Sequence, residues 1–208
     1  MKYKDNTTRA EARQQLDILL CEIAQSYPVP PMDLNIGVDI GANLGAFSLR
    51  YHKHFKKIIA IEPNIDNCVV LKHFLQERGI TNVDIYCYAV NDTCGTVKLY
   101  RGQGEDISGN ASTTNAVGEY EEVQAIDFKG VFELAGAPYI DYMKIDCEGA
   151  EYKFLQDQDL SKIACISGEY HGAGKEIEEN LWNHIRKTHR LNRVPNKNVF
   201  YAIHNDCP

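Results

Sequence analysis

The 208-residue sequence contains no apolar run longer than a handful of residues, far short of the roughly 20 that a membrane-crossing helix requires. Its start, MKYKDNTTRAEARQQ, is too polar for a secretory leader. It has no dense block of Lys or Arg, and its formal net charge is −7, so a polyanion such as duplex DNA would meet a field of the wrong sign. No CxxC pair occurs among the seven cysteines, and Cys68, Cys87, Cys147 and Cys165 lie in or beside apolar runs, where cysteine behaves as a small hydrophobe. Internal repeats and low-complexity tracts are also missing. These absences predict a reduced, cytoplasmic protein with no membrane span and no nucleic-acid partner, acting on small molecules or neutral polymers.

A hydrophobic content of 44% over this length is enough to fill one sizeable core. The expectation is a single domain over residues 1–208, with an N-terminal helical cap (1–32) on a catalytic core (33–208). Leu16, Leu19, Leu20 and Ile23 recur at helical spacing until Tyr27-Pro-Val-Pro-Pro31 stops the helix. Strand 36–40 then runs through Gly41 into a helix over 44–54. Strand 57–61 leads into a helix over 65–78, and a third strand spans 83–90. Segments 96–101 and 121–126 alternate like half-buried strands, with a Gly/Ser/Asn/Thr-rich loop between them that reads as mobile. The alternation resumes with strand 139–145, a helix near 150–156, strand 163–169, a helix over 175–188 and a last strand at 198–204. Such alternation predicts an α/β, doubly wound, mostly parallel sheet with helices on both faces and a ligand crevice at the carboxyl ends of its strands.

Two clusters fall at those ends. VDIGANLG puts Asp39 at the tip of the first strand, followed by Gly41, Asn43 and Gly45. The Gly-x-x-x-Gly spacing lacks the glycine that admits a pyrophosphate in dinucleotide binders. A carboxylate here would repel phosphate and attract a sulfonium, by on the order of 4 kcal/mol at about 4 Å and an effective dielectric near 20. The alternative is a helix-capping acid beside a tight turn. Glu62 ends the second strand, where an acid can accept both ribose hydroxyls, or can simply be solvated. KIDCEGAE gathers Asp146, Glu148 and Glu151 at the end of the fourth wound strand, and GEYHG adds Glu169 and His171 at the next. Crowded acids raise one another's pKa, which suits proton transfer, although Glu148 and Glu151 also fit as first-turn acids answering a helix dipole. No dedicated metal-ligand spacing is present.

Taken in order, VDIGANLG, AIEPN, Tyr88-Ala89-Val90-Asn91, KIDCEGAE and GEYHG resemble the FkbM family of methyltransferases, over about residues 36–172. The resemblance implies a class I methyltransferase fold of about seven strands with an antiparallel last strand, and S-adenosylmethionine as cofactor. It implies that Asp39, Gly41, Asn43 and Gly45 contact the methionine part, Glu62 the ribose with help from Asn64, and the region around Ala89 the adenine. Asp146 and Glu148 would face the acceptor, with Ser112 and Thr113 closing over it. It is also compatible with a homodimer, or with a module of a larger glycan-processing polypeptide.

A hydroxyl acceptor needs a base, and Asp146 is the first candidate, with Glu169 and His171 as alternates. The favoured acceptor is a sugar hydroxyl, in a small molecule or oligosaccharide, on which Tyr120, Tyr139, Tyr142, Tyr152, Tyr170 and Trp182 could stack. N-methylation of a peptide or natural product, and a non-catalytic methyltransferase-like scaffold, are the competing readings.

Overall fold

The computed structural model describes residues 9–100, 112–114, 118–195 and 197–207. Helix α1 (Arg9–Ser26) is followed by strand β1 (Leu34–Ile40), helix α2 (Ala46–Tyr51) and strand β2 (Phe55–Ile61). Next come α3 (Ile65–Glu77), β3 (Val83–Tyr86), β4 (Ala89–Val90), β5 (Gly95–Tyr100) and β6 (Tyr120–Ile126). The chain continues through α4 (Phe128–Ala135), β7 (Ile140–Ile145), α5 (Glu151–Leu155), β8 (Ile163–Glu169), α6 (Lys175–Arg186), β9 (His189–Arg193) and β10 (Val199–His204).

Seven strands form the main sheet in the order β3-β2-β1-β7-β8-β10-β9. β10 runs antiparallel to both its neighbours, and the other pairs are parallel. This is the expected doubly wound architecture, and its strand order reverses between β1 and β7, where a crevice opens at the strand ends. Both faces are covered, which is why the central strands read as nearly continuous apolar runs. Ile59, Ile61, Val38 and Ile40 pack with α4, α5 and α6 on one face. Ile58, Ala60 and Tyr142 pack with α1, α2 and α3 on the other. α1 contributes Ala12, Leu16 and Ile23 to this second core. No helix among the described residues is long and apolar enough to cross a membrane.

The structure revises several expected elements. The run 83–90 is two strands: after β3 the chain turns at Cys87 and Tyr88, and β4 pairs with β6 in a separate three-stranded sheet, β4-β6-β5. Helix α2 is shorter than expected because left-handed Gly45 starts it and a 3-10 turn, His52–His54, ends it. Helix α4 has no counterpart in the sequence reading, although Asp127 caps it by accepting from the Gly130 amide and left-handed Gly136 stops it. Strand β9 was also missed. His-Arg-Leu-Asn-Arg carries the polar pattern of a protected sheet edge and reads as loop. Most of the loop expected to be mobile, 101–111 and 115–117, lies outside the described residues.

Candidate active site

The crevice is built where β1, β2, β7 and β8 end. Parallel pairing sets Asp39 opposite Lys144, and this register, invisible in the sequence, creates the central ion pair. Lys144 Nζ lies 3.3 Å from Asp39 Oδ1 and 3.7 Å from Asp146 Oδ2, and donates to the Gly41 carbonyl at 2.7 Å. Burial opposes a charge on this lysine, but Asp39, Asp146 and Glu62 override it and raise its pKa. Asp39 is fully buried, and Ser48 donates to its other oxygen at 2.7 Å. Asp39 shares its charge with Lys144, and Asp146, Glu148 and Glu169 are the further acidic groups at the strand ends.

The glycines of the first turn are required by close contacts within the protein. A Cβ on Gly41 would lie 1.6 Å from the Asp146 carbonyl oxygen, and one on Gly45 would lie 2.0 Å from Leu71 Cδ1. Both residues have positive φ. They let the turn seat against the protein's own atoms. Asn43, also left-handed, donates its amide to Glu62 Oε2 at 2.8 Å.

Glu62 is buried and accepts two further bonds, from the Asn64 amide and from Asn67 Nδ2. Burial raises its pKa against these donors. A carboxylate offers about four acceptor positions, so one remains for a hydroxyl. Asn64 bonds Glu62 through its backbone amide, and its side chain is the N-cap of α3, accepting from the amides of Asp66 and Asn67. Ala89 lines the cleft beside Glu62, with Pro63, Tyr88, Val90 and Leu99. These small and apolar groups suit the faces of an adenine, so the residues present fit a nucleoside cofactor.

Asp146, Glu148, Glu169 and His171 do come together. His171 Nε2 lies 3.4 Å from Glu148 Oε2 and 3.9 Å from Asp146 Oδ1, while its Nδ1 sits 3.3 Å from Glu151 Oε1. Burial would lower the His171 pKa, but the Glu151 hydrogen bond and the charges of Glu148, Glu151 and Asp146 push it up to about 9. At neutral pH this imidazole is a cation, and that removes it as a ready base. Burial pushes Glu148 up to about 7, against the pull of His171 and with Asp146, Glu169 and Glu151 adding to the rise. Burial also raises Glu169, with Asp146 adding to it. Glu151 is fully buried and accepts from the Gly149 and His171 amides, so it holds the loop after β7 in place. Ligand atoms of Asp146, Glu169 and His171 lie within 4.8 Å of one another.

Ser112 is buried, and its hydroxyl donates to the Glu148 carbonyl at 2.8 Å. It anchors its loop to the β7 end and does not face an acceptor, whereas Thr113 lines the cleft. The proposed aromatic platform does not form. Tyr142, Tyr152 and Trp182 are core residues, and Tyr170 packs edge-on against Trp182. Exposed Tyr139 stands at the amino end of β7, away from the crevice. One contributor was missed altogether. Tyr27, read only as part of a helix stop, is buried and donates its hydroxyl to Asp146 Oδ2 at 3.3 Å. No local pattern announces it.

Two cavities meet at this cluster and share Gly41, Asn43 and Asp146. The one beside Glu62 is narrow, about 70 Å³. The second, toward α1, is about 430 Å³, within the roughly 300–1,000 Å³ typical of small-molecule sites.

Sequence comparison matches residues 39–193 to the methyltransferase FkbM domain. The chain belongs to the FkbM methyltransferase family. Comparison with curated proteins gives no match. Among solved structures, this FkbM chain is similar to methyltransferase FkbM from Methylobacillus flagellatus, with a TM-score of 0.57 at 12% identity over 94% of this chain. It spans 58% of that protein's length. An rRNA methylase from Streptococcus thermophilus matches with a TM-score of 0.47 at 11% identity, over 92% of this chain and 94% of its own. TrmK of M. capricolum, solved with S-adenosyl-homocysteine, matches with a TM-score of 0.44 at 12% identity, over 91% of this chain and 66% of its own.

Proposed function

We propose that this methyltransferase acts on a hydroxyl of a sugar, in a glycan or glycosylated product, with Asp146 accepting the hydroxyl proton. The observation that carries the reading is the position of the Asp146 carboxylate, half-buried at the junction of the two cavities. When bound, S-adenosylmethionine supplies an electrophilic methyl group on a sulfonium. Glu62 takes its ribose, the turn from Gly41 to Asn43 borders its methionine part, and Ala89 with its neighbours borders its adenine.

The acceptor hydroxyl would lie between Asp146 and the donor's methyl group, and Asp146 would take its proton as methyl transfer releases S-adenosylhomocysteine. A positioned base contributes about 10²- to 10⁴-fold, and alignment of the reactants about 7–11 kcal/mol. Cationic His171 holds the charges of Asp146 and Glu148 side by side, and Glu169, raised by burial, is a second proton acceptor on the same rim. The reaction needs no metal, so activity is expected to survive EDTA.

Calorimetric titration with S-adenosylmethionine and S-adenosylhomocysteine tests the donor site, and methyl uptake by sugars and peptides tests the acceptor. Native protein is expected to bind both compounds. Glu62→Gln should bind them about tenfold more weakly, and Asp146→Asn should bind normally but methylate sugars about 10²-fold or more slowly. A folded native protein that binds neither compound would overturn the donor assignment. Uptake confined to peptide amides would overturn the sugar.

A further inference from the structure

The wall of the larger cavity opposite the strand ends is the N-terminal helix. Glu22, Ile23 and Tyr27 face Asp146, Glu169 and Asn198 across it. All three wall residues precede residue 39, where the match to the family domain begins. The helix end is fastened to the core from several directions. Lys197 Nζ donates to the Gln25 carbonyl at 2.8 Å and to Ser26 Oγ at 3.2 Å. Tyr142 donates to the Pro28 carbonyl at 3.3 Å, and His54 Nδ1 lies 2.8 Å from the Pro30 oxygen.

Two features of the chamber bear on chemistry. First, the Tyr27 hydroxyl donates to Asp146 Oδ2, the carboxylate at the junction. Burial, together with Asp146, raises the Tyr27 pKa, so the phenol keeps its proton and can only donate when Asp146 is ionised. Second, Glu22, Asp146 and Glu169 line the chamber, while Lys144 is balanced by Asp39 and the neighbouring His171 by Glu151, which leaves three carboxylates against the ammonium of Lys197. The interior field is therefore negative, and an acidic acceptor would meet like charge.

We propose that the N-terminal helix completes the acceptor site, that Tyr27 is a positioning residue for Asp146, and that Glu22 and Glu169 select neutral or amine-bearing sugars against acidic ones. This rests on the methyl-transfer reading above.

The test loads the protein with S-adenosylhomocysteine and measures binding of glucose, glucosamine and glucuronate by saturation-transfer NMR. Glucose and glucosamine are expected to bind and glucuronate to bind about tenfold more weakly, a gap that narrows in Glu22→Gln. In Tyr27→Phe and Glu22→Gln, S-adenosylhomocysteine affinity should stay within about twofold of native. Tyr27→Phe should slow methyl transfer to the accepted sugar about tenfold in kcat with KM within about twofold, because the hydroxyl orients Asp146 and does not hold the sugar.

A tenfold loss of S-adenosylhomocysteine affinity in either helix variant would give the chamber to the donor and overturn the proposal. Glucuronate binding as tightly as glucosamine, no sugar binding at all, or a kcat of Tyr27→Phe equal to native would each overturn its part. Failure of native protein to bind S-adenosylhomocysteine would instead defeat the methyl-transfer reading beneath it.

Discussion

At the scale of single residues, the site is a set of compensated charges. A buried ion pair such as Asp39–Lys144 adds little net stability, but removing one partner strands the other and costs about 3–5 kcal/mol. That is why donor binding is better probed at Glu62 than at Asp39. His171 makes stability depend on pH in a definite direction. Its folded-state pKa of about 9 lies above the ordinary value of 6.5, so its contribution is complete below pH 6.5 and fades as pH rises through 9. Glu148, raised from 4.5 to about 7, acts in the same sense at lower pH, because the folded state favours its protonated form. Urea midpoints are expected to fall between neutral pH and pH 9, and His171→Gln should flatten the upper part of that fall. A native midpoint that rises over this range would contradict the arrangement.

At the scale of elements, caps and turns decide where the chain changes course. Asp127 accepts from the Gly130 amide at 2.8 Å and starts α4, which buries Phe128 and Val131 against the sheet. Asp127→Ala is expected to lower stability by about 1 kcal/mol in urea denaturation, with the slope of the transition unchanged. The turn after β1 is set by contact. Gly41 lies so close to the Asp146 backbone that no side chain fits between the ends of β1 and β7, and the Asp146 amide donates to the Ile40 carbonyl at 3.1 Å. This contact places the candidate base beside the turn proposed to border the donor. Helix α1, by contrast, reaches the site through docking alone, with Tyr27 as its point of contact.

At the scale of the whole molecule, two cores flank one sheet and the crevice opens where strand order reverses, so a ligand there touches several elements at once. Ligand binding should therefore report as global stabilisation. S-adenosylhomocysteine at about 100 times its dissociation constant is expected to add about 2.7 kcal/mol. This corresponds to a Tm rise of about 5–10 °C for a domain of this size, measured by scanning calorimetry. Absence of any shift would contradict donor binding. The alternation of strands and helices, the acids and glycines at strand ends and the sequence motifs of the family are local properties, and the sequence by itself determined them. Periodicity and turn chemistry act within a few residues, so they can be read along the chain. Only the tertiary structure decided that Lys144 neutralises Asp39, that Glu151 and Glu148 keep His171 charged, and that Gly41 is required by Asp146. It alone brought Tyr27 onto Asp146 across 119 positions of sequence. Each of these depends on strand register or helix docking between distant segments, and no local pattern encodes either.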